Sequence, residues 1–171
     1  MTQTTTTLPQ APTVLPQSTL LLMATACGLC AGANYFNQPL LNSMVQHLHI
    51  SDAQASSTVT MAQVSYGLGL LFLVPLGDML ERRRLVLTLM LLAACGMLLS
   101  GISGVAGSFA LLAAGTLMAG VFSVAAQVLV PMAATFAAPG TSGRAVGLVM
   151  SGLLVGILAS RSEAGILSEL G

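Results

Sequence analysis

The chain has 171 residues, of which 55 % are hydrophobic and 6 % charged, and its formal net charge is zero; the mean hydropathy is +0.90. Five arginines, five acidic residues and no lysine cannot cover a water-facing surface, because about a quarter of the residues in a soluble domain are ordinarily charged. A soluble globular domain is thereby excluded, and a neutral chain without a basic stripe offers nothing to nucleic acid. The composition is that of an all-α integral membrane protein whose first partner is the lipid bilayer.

Residues 1–17 are rich in Thr, Pro and Gln and carry no helical pattern, which predicts a disordered tail. They lack the basic stretch of a cleaved signal peptide, and the apolar run behind them is too long for one. Five segments then reach the roughly 20 apolar residues that a bilayer-spanning helix needs. The first covers about residues 18–41 and becomes polar in its second half, at Asn34, Tyr35, Asn37, Gln38 and Pro39. Cys27 and Cys30 lie one helical turn apart inside its apolar part, where two thiols act as packing residues. The following loop holds His47, His49 and Asp52, too few donors for a metal site, and neither metal nor other cofactor is expected. Ser51 and Gln54 have capping-box spacing, so a second helix should run over about 52–76, with Gln63 near mid-depth.

A charged loop, Gly77-Asp78-Met79-Leu80-Glu81-Arg82-Arg83-Arg84, precedes the third helix, at about 85–103. Between Leu85 and Leu99 its polar residue besides Cys95 is Thr88, which predicts the most lipid-exposed position in the bundle. The fourth helix covers about 108–136, with Gln127 in its inner half and Pro131 near its end. After a turn at Pro139–Gly143 the fifth covers about 144–170. Small residues recur along it every four positions, at Gly152, Gly156, Ser160, Ala164 and Ser168, a ridge that lets a neighbouring backbone approach closely. Gly115, Ala119 and Ser123 repeat the device on the fourth helix.

Arginine sets the orientation, since basic loops stay in the cytoplasm. Arg82, Arg83 and Arg84 lie between helices two and three and Arg144 between four and five, while the other two loops have no basic residue. The N-terminus is therefore expected inside, and the C-terminus outside. Arg161 lies 17 positions beyond Arg144, about 26 Å along a helix axis, in the outer part of the membrane. A charge there faces the bundle interior or a wet cavity, or snorkels to the interface. Uncharged polar groups in lipid also need partners or water. Asn34, Tyr35, Asn37, Gln38, Gln63, Gln127 and Arg161 are accordingly the candidate cavity-lining residues, with helix packing as the alternative for the amides.

Asp78-x-x-x-Arg82-Arg83 resembles the loop between helices two and three of the major facilitator superfamily, whose signature is G-x-x-x-D-[RK]-x-G-R-[RK]. Arg144-Ala145-x-Gly147 is similar to the start of that superfamily's fifth helix, and Asn34-Tyr35-Phe36-Asn37-Gln38-Pro39 to the first helix of a bacterial efflux-type branch. The resemblance covers about residues 18–171. It implies a multi-pass protein of the bacterial inner membrane, a gating role for Asp78, Arg82, Arg83 and Arg144, and a fold of twelve helices in two six-helix halves with a small-molecule substrate between them. Five helices then correspond to a truncated N-terminal bundle, inactive alone because alternating access needs one bundle to rock against another. The competing reading is a small non-transporting membrane protein that associates with copies of itself through its Gly/Ser ridges. No nucleophile–base pair, metal cluster or phosphate-cradling loop points to an enzyme.

Overall fold

A computed structural model of the chain describes residues 16–35, 45 and 50–170, with the backbone alone for Asp78 and for residues 163–170. The described residues are helical almost throughout. The helices are α1 (Gln17–Tyr35), α2 (Asp52–Met79), α3 (Arg82–Ala106), α4 (Phe109–Phe122), α5 (Ala125–Phe136) and α6 (Ser142–Leu170). They form five rods, because α4 and α5 are stacked pieces of one. Among the described residues four rods are long and apolar enough to cross a membrane: Asp52–Gly77, Arg82–Ala106, Phe109–Phe136 and Ser142–Ser162. The expected fifth span, α1, is described for 19 residues only and is not one of the four. The remainder of the 18–41 segment and the tail lie outside the described residues.

Local chemistry sets most of the boundaries. The capping box at Ser51 is closed in both directions: the Gln54 N–H donates to Ser51 Oγ at 3.3 Å and the Ser51 N–H to Gln54 Oε1 at 3.0 Å. At the far end α2 continues through Met79 and α3 begins at Arg82. The expected charged loop is thus reduced to Leu80 and Glu81, and Asp78, Arg82 and Arg83 sit in terminal helical turns. Charge marks the edge of the hydrocarbon, whereas a helix is free to run on into the headgroup layer. Gly107, with φ of 59°, stops α3 in the left-handed conformation that costs glycine least. Ala138 and Thr141 close the last turn, the Thr141 N–H donating to the Ala138 carbonyl at 2.9 Å.

The break between α4 and α5 departs from the expected single helix. Ser123 and Val124 have ψ of −8° and −7°, and the Gln127 N–H donates to the Val124 carbonyl, three residues back, at 2.9 Å. This is a tight 3₁₀ step. Pro131, one turn on, has no N–H to return to the Gln127 carbonyl, so α5 is weakened there as well.

The α4–α5 rod is the centre of the bundle: half of its most apolar stretch is buried, against 28 % for α3, 17 % for α2 and 11 % for α6. Among the described residues α3 is thus more covered by its neighbours than α2 or α6, where the sequence suggested the most exposed position. α2 and α6 present more bare surface, including Leu71, Phe72, Val155 and Leu158. Polarity along a helix reports what it can face, not how many neighbours it has.

Lipid gives helices no hydrophobic reason to associate, so close backbone packing must hold them. Three seams do so. On α1, Ala24, Gly28 and Gly32 lie against Gly152, Gly156 and Ser160 of α6; a Cβ added at Gly28 would stand 2.6 Å from the Gly152 carbonyl oxygen. Gly96 and Ser100 of α3 lie against Gly115 and Ala119 of α4, where a Cβ on Gly96 would meet the Ala119 nitrogen at 2.5 Å. Ala62, Ser65 and Gly69 of α2 lie against Gly120 and Val121 of α4. The apolar core between these seams joins Met23, Cys27 and Cys30 of α1 to Leu85, Val86 and Leu89 of α3, Val128 and Leu129 of α5, and Val149 of α6.

Candidate functional site

The buried stripe of α5, at Ala125, Ala126, Val128, Leu129 and Ala133, turns Gln127 to the opposite side of that helix. There the Gln127 side-chain amide donates to the Tyr66 hydroxyl of α2 at 2.9 Å. Gln127 is exposed and Tyr66 half-buried against the core. A carboxamide and a phenol thus stand together on an uncovered part of the bundle. Each keeps spare capacity, the amide a second N–H and a carbonyl, the phenol its own proton.

Asn34 is on the packed side of α1, in the stripe that includes Cys27, Cys30 and Ala31. It is 6 % exposed, and its Oδ1 has no hydrogen-bond partner among the described residues. A buried carbonyl oxygen without a donor costs more in lipid than at a wet surface. Tyr35 follows it, half-buried. Gln63, one turn before Tyr66, is exposed, and so is Arg161 on α6. Asn37, Gln38, His47 and His49 lie outside the described residues.

The sequence singled out Gln127 without its partner. Tyr66 was missed because a lone tyrosine in an apolar helix reads as core, yet its position three residues after Gln63 could have placed it on the same side. The cysteines are free: Cys27 and Cys30 are buried, with the Cys27 thiol 4.0 Å from the Ala126 carbonyl, and Cys95 is exposed.

At the α2–α3 junction Arg84 pairs with Glu81 at 2.7 Å, both well exposed, so the contact is a weak surface pair. Arg83 and Arg144 are exposed and Arg82 is half-buried. Gly152, Gly156 and Ser160 face α1 within the same chain, so this ridge is already occupied; the side chain of Ala164 is outside the description.

Comparison with known proteins places this helical bundle. The family model for the Major Facilitator Superfamily matches residues 23–171. Proteins of Escherichia coli K12 and O157:H7, both named as an uncharacterized transporter, YgaY, are each 50 % identical to the chain over 157 residues, which is 92 % of this chain and 39 % of theirs. A Streptomyces coelicolor protein named as a transporter, SCO4007, is 33 % identical over 150 residues, 88 % of this chain and 34 % of its own. The chain therefore spans less than two-fifths of the length of these curated relatives. No solved structure matches it. With the family match over nearly all of the described helices, the chain belongs to the Major Facilitator Superfamily.

Proposed function

We propose that residues 1–171 act as the N-terminal bundle of a transporter that moves a small solute across the bacterial inner membrane by alternating access, and that they do not transport alone. The observation that carries this reading is the Gln127–Tyr66 pair: two hydrogen-bonding groups from different rods, joined at 2.9 Å on a face the bundle leaves uncovered. A solute held between two bundles needs such neutral donors and acceptors at mid-membrane. Asn34 adds an acceptor, and Tyr35, Asn37, Gln38, Gln63 and Arg161 complete the set of proposed cavity residues. Asp78, Arg82, Arg83 and Arg144, at the proposed cytoplasmic ends of the rods, form the inner gate. The direction is proposed as efflux, on the resemblance of the Asn34–Pro39 segment.

Self-association through the Gly152–Gly156 ridge is less well supported, because that ridge is spent on α1. The test is a chimaera in which this chain replaces the matched segment of the E. coli relative. Reconstituted in liposomes, it should move the solute that the relative moves, and Gln127→Ala should raise KM or abolish flux. A folded chimaera that carries no solute the relative carries defeats the proposal.

A further inference from the structure

Cys27 and Cys30 take no part in the proposed solute site or the inner gate. Both are free and both are buried, Cys27 with no exposed surface and Cys30 4 % exposed. They belong to one buried stripe of α1, with Met23 a turn before them. Residues three apart on a helix are neighbours, with about 5–6 Å between Cβ atoms, so the two thiols stand side by side. The contact of the Cys27 thiol with the Ala126 carbonyl is long, at 4.0 Å. Cys30 also lines a groove of about 750 Å³ between α1, α3 and α6, together with Met90 and Met97. Burial makes the pair part of the core, and the groove makes one member of it reachable.

Charge selects what such a pair binds. Among the described residues no three of His, Cys, Asp and Glu come together, so an ion that takes four ligands, such as zinc, finds no site. A soft ion content with two ligands needs the thiols alone. On two thiolates a monovalent soft ion leaves one negative charge in the apolar core, which a lipid-embedded bundle strongly disfavours. A divalent one leaves none. We propose that Cys27 and Cys30 form a chelating site for a soft divalent ion of the mercuric class, entered from the groove past Cys30. Each thiol releases its proton to water as its sulfur binds, so one divalent ion and two S–H groups give a neutral S–metal–S bridge and two protons, with no change of oxidation state. The thioethers of Met90 and Met97, soft and uncharged, line the way in. The site stands independently of the proposed solute site.

The test uses the purified chain in mild detergent, carrying Cys95→Ser to remove the exposed thiol of α3, with mercuric chloride as the probe. Intact-mass spectrometry should show one mercury in place of two hydrogens per chain, and a pH indicator should count two protons released per ion. Against an excess of the monothiol β-mercaptoethanol, Cys27→Ser and Cys30→Ser should each retain the ion at least tenfold less well, because the advantage of a second tethered thiol is lost. Adding Leu29→Cys to Cys30→Ser restores the number of thiols but sets them two positions apart, on different faces, and should not restore retention. Adding Ala31→Cys instead, four positions from Cys27 on the buried stripe, should restore it. One proton per ion, retention in either serine variant equal to that of the parent, or rescue by Leu29→Cys as good as by Ala31→Cys overturns the proposal. So does a mercury shared between two chains. The mass and the proton count are read on the parent and do not depend on how the serine variants fold.

Discussion

Replacing Gly156 with alanine should separate α1 from α6. The added methyl would stand 2.5 Å from both the carbonyl carbon and the Cα of Gly28, against 3.4–4 Å for ordinary contact. The obstacle is backbone, so no rotamer change relieves it, and the rods must part by about 1 Å, a gap that forfeits a quarter to a half of each contact's attraction. Overpacking of this kind costs about 1–3 kcal/mol. The upper half of that range applies here, because Gly28, Gly32 and Gly152 lose contact together. Gly147→Ala is the control: it has open space around it, and alanine is better than glycine in a helix by up to about 1 kcal/mol. Unfolding in mixed micelles measures the stability, and alkylation of Cys27, which is fully buried beside the seam, reports the parting of the rods. Gly28→Ala and Gly156→Ala combined should cost less than their sum, since the first already opens the seam. Wild-type stability and Cys27 protection in Gly156→Ala, or an equal loss in Gly147→Ala, would refute the reasoning.

Three further outcomes are expected. Tyr66→Phe and Gln127→Leu should be coupled by about 0.6 kcal/mol, the average for hydrogen bonds between membrane helices, and a double-mutant cycle giving zero coupling would deny that the bond contributes. Asp78→Asn and Arg144→Gln should reduce the yield of folded protein less than additively in the double mutant, since a carboxylate at the membrane boundary gains from a cation; strict additivity would exclude the pair. A reporter active only outside the cytoplasm should be silent after Arg84 and active after Gly171, as the arginine distribution requires, and the reverse pattern would invert the topology.

Much of the architecture was legible because lipid imposes simple rules. Apolar length marked the rods, and the Ser51–Gln54 spacing marked the start of α2 to the residue. The ridge at Gly152 and Gly156 was visible, but not its mate; Ala24, Gly28 and Gly32 carry the same spacing on α1, and two matching ridges in one chain are a pairing signal. The α4–α5 break was not legible. Neither glycine nor proline stands at Ser123–Val124, and the step sits where Val124, with no exposed surface, is held among several helices, so tertiary packing decides it. The Gln127–Tyr66 contact was half legible: Gln127 stood out as an amide in an apolar run, whereas its bond to Tyr66 joins residues 61 positions apart, which no local pattern encodes.

The central claim is that one bundle of this family carries solute only against a second. Flux through liposomes containing the purified chain alone tests it most directly, with sugars, amphiphilic drugs and nucleosides offered with and without a proton gradient. Flux no greater than in empty liposomes is expected for every solute. Saturable flux of any of them, lost in Gln127→Ala, would contradict it.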